Sequence, residues 1–198
     1  MYVGRIVIIG RSQGRSWVAY RVSSRSFPNR RAEVRGGAVL VSPIDPADLR
    51  RNPYIAYNCI QLLEDAAVVA NGTHADMIAE RMAQGFPPLE AVGLSLLAYG
   101  YERDELKTPR IAGVVSEDRG YLGIARDSEL RVKEYLLHGD CAFHVATYEA
   151  VDFQPIELAA ADAGSLAKAA FLLPYERPVC AAAAMGGDLG FHSDVYNP

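Results

Sequence analysis

Two blocks of β-branched runs, separated by one stretch of helical periodicity, constrain this chain more than any other feature. Residues 3–9 (VGRIVII) read as a strand, residues 10–14 as turn material and residues 17–22 (WVAYRV) as a second strand, so the chain opens with a hairpin. Residues 38–41 (AVLV) form a third short strand after Gly36-Gly37, and Pro43, Pro46 and Pro53 punctuate an irregular stretch. Residues 54–69 then predict strand, turn at Glu64-Asp65, strand.

Helical periodicity begins only at Thr73-His74-Ala75-Asp76, a capping-box-like start followed by the stripe Met77, Ile78 and Met82 and a stop at Gly85. Pro87-Pro88 open a second helix whose Leu89, Val92, Leu96 and Leu97 face one way and which Gly100 closes, giving an antiparallel helical hairpin. Strands return at 111–116, 121–125, 130–137 and 141–148, joined by short polar turns that suit antiparallel neighbours. A third helix over 162–172 and a closing hairpin around Gly186-Gly187-Asp188 complete the pattern. Segregated strands and helices, rather than alternating ones, predict an α+β fold of two stacked antiparallel sheets flanked by helices.

At 198 residues the chain suits a single domain, residues 1–198, whose core needs neither disulfides nor a metal. Half of it is apolar and 22% is charged, which excludes disorder and fibrous repeats. No apolar run approaches the roughly 20 residues that span a bilayer, and the first apolar stretch is too short for a secretory signal, so a soluble cytoplasmic protein is expected. Cys59, Cys141 and Cys180 are odd in number and widely spaced, which predicts reduced thiols rather than a disulfide framework or zinc site.

The charge is uneven. Residues 1–31 hold seven arginines and no acid, while the whole chain carries a net −4. A guanidinium is the better planar partner for phosphate or carboxylate, so something anionic meets this segment. The sequence pI near 5.6 favours a small anionic ligand over nucleic acid, whose binders carry basic stripes.

Three stretches could carry chemistry. Residues 20–31 (YRVSSRSFPNRR) concentrate four arginines, three serines and an asparagine, either as a solvated face or as an anion cradle. Tyr57-Asn58-Cys59 places a phenol, an amide and a thiol together, with strand alternation putting Tyr57 and Cys59 on one face. No histidine is close enough in sequence to activate the thiol, so Tyr57 as hydrogen-bond donor is preferred. Glu102, among the carboxylates that follow the helical hairpin, is the acid that burial would tune for proton transfer. His74 and Asp76 at i and i+2 point different ways on a helix and make a poor metal pair, and residues 10–16 lack the lysine and following helix of a phosphate loop.

Taken together, residues 20–30 (YRVSSRSFPNR), 52–60 (NPYIAYNCI), 71–76 (NGTHAD), Tyr101-Glu102 and 108–111 (TPRI) resemble the archaeal type of inosine monophosphate cyclohydrolase in order and spacing. The resemblance implies a four-layer αββα fold like that of the N-terminal-nucleophile hydrolases. It implies closure of 5-formamidoimidazole-4-carboxamide ribonucleotide to inosine 5′-monophosphate with loss of water. It implies catalytic roles for Arg30, Tyr57 and Glu102, and substrate contacts from Arg21, Ser23, Ser24, Arg25, Asn58, Asn71 and Thr108. No metal or cofactor is implied, and some relatives assemble as tetramers, so a homo-oligomer is expected. Nucleic acid and membrane are not expected partners. Alternatives are an amidohydrolase of the same fold, although Met1 and Tyr2 are not its Cys, Ser or Thr nucleophile, and a purine-nucleotide-binding protein without catalysis.

Overall fold

A computed structural model describes residues 1–50 and 53–198; Asn52, the first residue of one of the motifs above, lies outside them. The chain forms two antiparallel sheets and three α-helices. The first sheet runs, in spatial order, β11 (Gln154–Pro155), β10 (Cys141–Ala146), β1 (Arg5–Ser12), β2 (Arg15–Ser23), β12 (Pro178–Gly187) and β13 (Gly190–Tyr196). The second follows the chain: β3 (Arg30–Arg35), β4 (Ala38–Pro43), β5 (Tyr57–Leu62), β6 (Ala66–Ala70), β7 (Arg110–Ser116), β8 (Arg119–Ala125) and β9 (Leu130–Leu136). Both helices of the hairpin, α1 (His74–Ala83) and α2 (Pro88–Tyr99), interrupt the second sheet in sequence between β6 and β7, whereas α3 (Ala163–Phe171) precedes β12.

Strand parity sorts the side chains into three apolar layers. Val7, Ile9, Val18, Tyr20 and Val22 of the first sheet meet Val39, Val41, Tyr57, Cys59, Val69 and Ile111 of the second. The opposite parity, Ile6, Ile8, Trp17 and Ala19, packs on Leu166, Ala167 and Ala170 of α3. On the far side, Val68, Ala112 and Val114 pack on Ile78, Val92 and Leu96 of α1 and α2. Each such buried aliphatic side chain contributes about 1.5–3 kcal/mol relative to exposure.

Three expectations need correction. Arg30 and Arg31, which end the stretch expected as a solvated face or an anion cradle, open an edge strand over residues 30–35; Arg31, Glu33 and Arg35 alternate with the inward Arg30 and Ala32, which is how an edge avoids further pairing. Residues 53–55 are a 3₁₀ turn, and the strand expected from Tyr54 starts at Tyr57. Thr73 makes no side-chain cap on α1; the capping box belongs instead to α3, where Asp162 accepts from the Ser165 backbone N–H.

Candidate active site

The two sheets share one end at which β1, β5 and β7 begin and β2 and β6 finish. Parity with Val7 and Ile9 directs Arg5 between the sheets there, beside Tyr20 and Tyr57. Arg110, in phase with Ala112 and Val114, faces the helices, where its guanidinium lies 5.2 Å from the Tyr99 ring centre and 5.8 Å from that of Tyr54.

Glu102 reaches this end from the loop after α2. Gly100 adopts φ +61° and ψ −141°, a positive-φ conformation open to glycine, where α2 ends and the chain turns. The loop then closes on itself. Glu102 N–H donates to Thr108 O at 2.8 Å, and Asp104 accepts from both the Thr108 backbone (2.8 Å) and Oγ1 (2.6 Å). Thr108 Oγ1 also lies 2.6 Å from the Tyr148 hydroxyl.

The carboxylate so delivered is 3% exposed and sits between two guanidiniums, with Arg5 Nη2 3.2 Å from Oε2 and Arg110 Nη1 3.9 Å from Oε1. Burial pushes its pKa above the ordinary carboxyl value, while Arg5 and Arg110 pull it down. For Arg5, burial is the largest single influence and opposes the charge, but Glu102 together with Tyr57, Tyr20 and Tyr148 outweighs it, so the guanidinium stays protonated. Tyr57 and Tyr20 hydroxyls lie 2.7 Å apart, and burial raises both phenols above their ordinary values. Arg30 points to the same inter-sheet space, its Nε donating to Phe27 O at 3.1 Å and its charge favouring ionised Tyr57 and Glu102.

Tyr54, Ala56, Tyr57, Gly72, Thr73, Glu102 and Arg110 enclose a cavity of about 30 Å³, room for a water-sized group. A Cβ at Gly72 would lie 2.7 Å from Arg110 Nη1, so any side chain there would have to displace the end of that arginine. Behind it, His74 is fully buried and donates from Nε2 to Ile111 O at 3.0 Å; burial, reinforced by Arg110, lowers its pKa to about 3 and keeps it neutral. Such a site can hold a carbonyl oxygen beside a phenol and cations while a carboxylate moves a proton.

Of the residues singled out in the sequence, Tyr57, Glu102 and Arg30 converge. Thr108 joins them only as part of the Glu102 loop, and the others lie apart. Arg21 occupies the opposite face of β2, where Nη1 and Nη2 donate to Leu173 O (2.7 Å) and Tyr175 O (2.6 Å), and burial lowers its pKa to about 10. Ser23 is buried with its hydroxyl unpartnered, and Ser24 Oγ accepts from Phe27 N–H at 3.0 Å. Arg25 is exposed, 3.2 Å from Glu176 and stacked 4.0 Å from the Tyr2 ring centre. Asn58 donates to Asp76, and Asn71 ties Pro109 O and Ile111 N–H together. Among the described residues, no three His, Cys, Asp or Glu side chains are placed to hold a metal ion.

Arg5, Arg110 and Tyr20 are site residues that sequence reasoning did not single out. Parity was the available signal for Arg5 and Tyr20, since each shares the phase of an apolar strand face. A far larger cavity, about 820 Å³, opens at the opposite end of the sheets among Glu64, Asp65, Glu117, Asp188 and Arg15. Its carboxylates outnumber its one cation and would repel an anionic ligand.

Comparison with known proteins gives a consistent family. A family model described as IMP cyclohydrolase-like protein matches residues 2–189. The IMP cyclohydrolase of Methanothrix thermoacetophila is 57% identical over 198 residues, covering all of both chains. That of Methanocella arvoryzae is 48% identical over all of this chain and 98% of its own, and that of Natronomonas pharaonis 44% identical over all of this chain and 99% of its own.

Proposed function

The chain belongs to the family of IMP cyclohydrolase-like proteins, and on that footing we propose that it works as an IMP cyclohydrolase through the cluster of Glu102, Tyr57 and Arg30. The reaction closes the pyrimidine ring of 5-formamidoimidazole-4-carboxamide ribonucleotide within one molecule. The carboxamide nitrogen attacks the formyl carbon, a C–N bond forms, and the formyl oxygen departs as water to leave inosine 5′-monophosphate. The obstacles are a weakly nucleophilic amide and the orientation of two groups that must meet.

The observation that carries this reading is the buried Glu102 carboxylate, held between Arg5 and Arg110 on the wall of a cavity that Tyr57 also lines. Glu102 takes the proton that the carboxamide nitrogen loses on attack and passes it to the formyl oxygen; the second proton that lets this oxygen leave as water comes from the formamide nitrogen as its C=N bond forms and the C–O bond breaks. Tyr57 O–H and the Arg30 guanidinium face the oxygen that becomes negative, a role for which preorganised donors are suited. Arg5 and Arg110 fix the carboxylate and offset part of the cost of burying its charge. Binding the reacting groups in a near-attack arrangement can supply up to about 7–11 kcal/mol of the barrier reduction.

We assign the 5′-phosphate to the end of β2 and the rim segment that follows it, with Arg25 as its cation and Ser23 and Ser24 as hydroxyl donors. Arg21 holds the segment after α3, Asn58 meets α1, and Asn71 and Thr108 fix the pocket wall. Ligand sites for molecules of this size are about 300–1,000 Å³, so the rim formed by residues 24–29 and 101–109 opens to admit the nucleotide. Residues 1–198 form one catalytic domain with the αββα fold of N-terminal-nucleophile hydrolases, a reading supported by the two stacked antiparallel sheets with helices on their outer faces. We place it in the cytoplasm as a homo-oligomer; no helix among the described residues is long and apolar enough to cross a membrane.

Incubating purified protein with the formylated ribonucleotide and following product absorbance tests the reading. Inosine monophosphate should form without added metal or cofactor. Binding of the product with no turnover would instead favour a nucleotide sensor.

A further inference from the structure

We infer that Tyr20 is a positioning residue, which donates its hydroxyl proton to Tyr57 Oη and so leaves the Tyr57 proton free for the reacting oxygen. This rests on the cyclohydrolase reading above. Tyr20 is fully buried on the inter-sheet face of β2, and its ring meets that of Tyr57 edge to face, with centres 6.3 Å apart. The hydroxyls are 2.7 Å apart, and geometry alone allows either to donate.

Their surroundings break the tie. Among the described residues, the only acceptor for the Tyr20 proton is Tyr57 Oη. The nearest charged group from β1 is Arg5, which can only donate. Were Tyr57 to donate instead, the Tyr20 proton would be buried without a partner, an arrangement folded proteins avoid. Tyr57, by contrast, lines the cavity with Glu102 and Arg110, so its proton has somewhere to go. The bond therefore runs from Tyr20 to Tyr57, and Tyr57 from the cavity wall to the ligand. Donation into Tyr57 also polarises its own O–H, as chained hydrogen bonds do, and makes it a stronger donor toward an oxyanion. The influence of Tyr20 on Tyr57 has the matching sign, easing its ionisation.

The test is a double-mutant cycle on ring closure, with wild type, Tyr20→Phe, Tyr57→Phe and the double variant assayed under one set of conditions. Tyr57→Phe should lower kcat about a hundredfold, as loss of one oxyanion donor does. Tyr20→Phe, which keeps the ring and removes only the donor, should lower kcat about tenfold with KM within about twofold. The double variant should match Tyr57→Phe within about twofold, because Tyr20 has no route to the substrate except through Tyr57. Unchanged kcat in Tyr20→Phe, or losses that multiply in the double variant, would overturn the inference while leaving the cyclohydrolase reading intact. A folded wild type that forms no inosine monophosphate would overturn that reading and, with it, the role given to Tyr20. Tyr20→Leu serves the same cycle if the phenylalanine variant does not fold.

Discussion

The two ends of the stacked sheets are built from the same strands and differ in almost everything that matters to chemistry. At one end the strands meet through tight hairpins, and four carboxylates with a single arginine surround about 820 Å³ of open space. At the other, three arginines gather around the buried Glu102 carboxylate beside a cavity of about 30 Å³, with two phenols in contact. Volume points to the first end; charge complementarity and displaced ionisation equilibria point to the second. The contrast shows why a reactive centre is recognised by what its groups are forced to do. Glu102 is buried yet flanked by cations, whereas the acids of the hairpin end line an open cavity that brings them no comparable cation cluster.

The sharpest attack on this contrast is Glu102→Gln, which should lower kcat about 10²- to 10⁴-fold with little change in substrate affinity, measured by initial rates and by equilibrium binding. In the wild type, activity should fall as pH drops through the Glu102 pKa, because the protonated carboxyl cannot accept a proton. That acid limb should lie above the ordinary carboxyl value, since burial raises the pKa, and should vanish in the residual rate of the variant. Next comes Gly72→Ala. The added methyl displaces Arg110 from Glu102, so kcat should fall about tenfold to a hundredfold while the melting temperature hardly moves. Arg25→Ala should raise KM about threefold to tenfold and spare kcat, because the side chain is exposed and acts on phosphate from the rim. Smallest of all, replacing Glu64, Asp65 and Asp188 together by their amides should leave kcat/KM within about twofold; a larger loss would mean that the open cavity takes part in the reaction.

The strand blocks and the helical hairpin were legible because their apolar periods are clean, as in residues 57–60 and 111–115. The edge strand β3 was not, since four of its six residues (RRAEVR) are charged and only Arg30 and Ala32 are turned firmly inward. Tyr57 and Glu102 could be chosen from residue type and neighbourhood, helped by the resemblance. Their meeting could not: Glu102 pairs with Arg5, 97 positions away, and no local pattern encodes that distance. Arg21 and Tyr20 make the point within two residues. Both lie in the arginine-rich segment, but strand parity sends one toward α3 and the other to Tyr57.

The order of strands has a bearing on how the enzyme is made. The second sheet joins β3 to β9 in sequence order, so each strand finds its neighbour in place as it leaves the ribosome. The first sheet cannot finish that way, because β2 waits for β12, which is more than 150 residues younger. Arg5 and Tyr20 belong to the waiting half. A nascent chain stalled before β12 therefore holds the acid and both of its future guanidiniums in one polypeptide, but lacks the partner strand that fixes β2 and the reach of Tyr20.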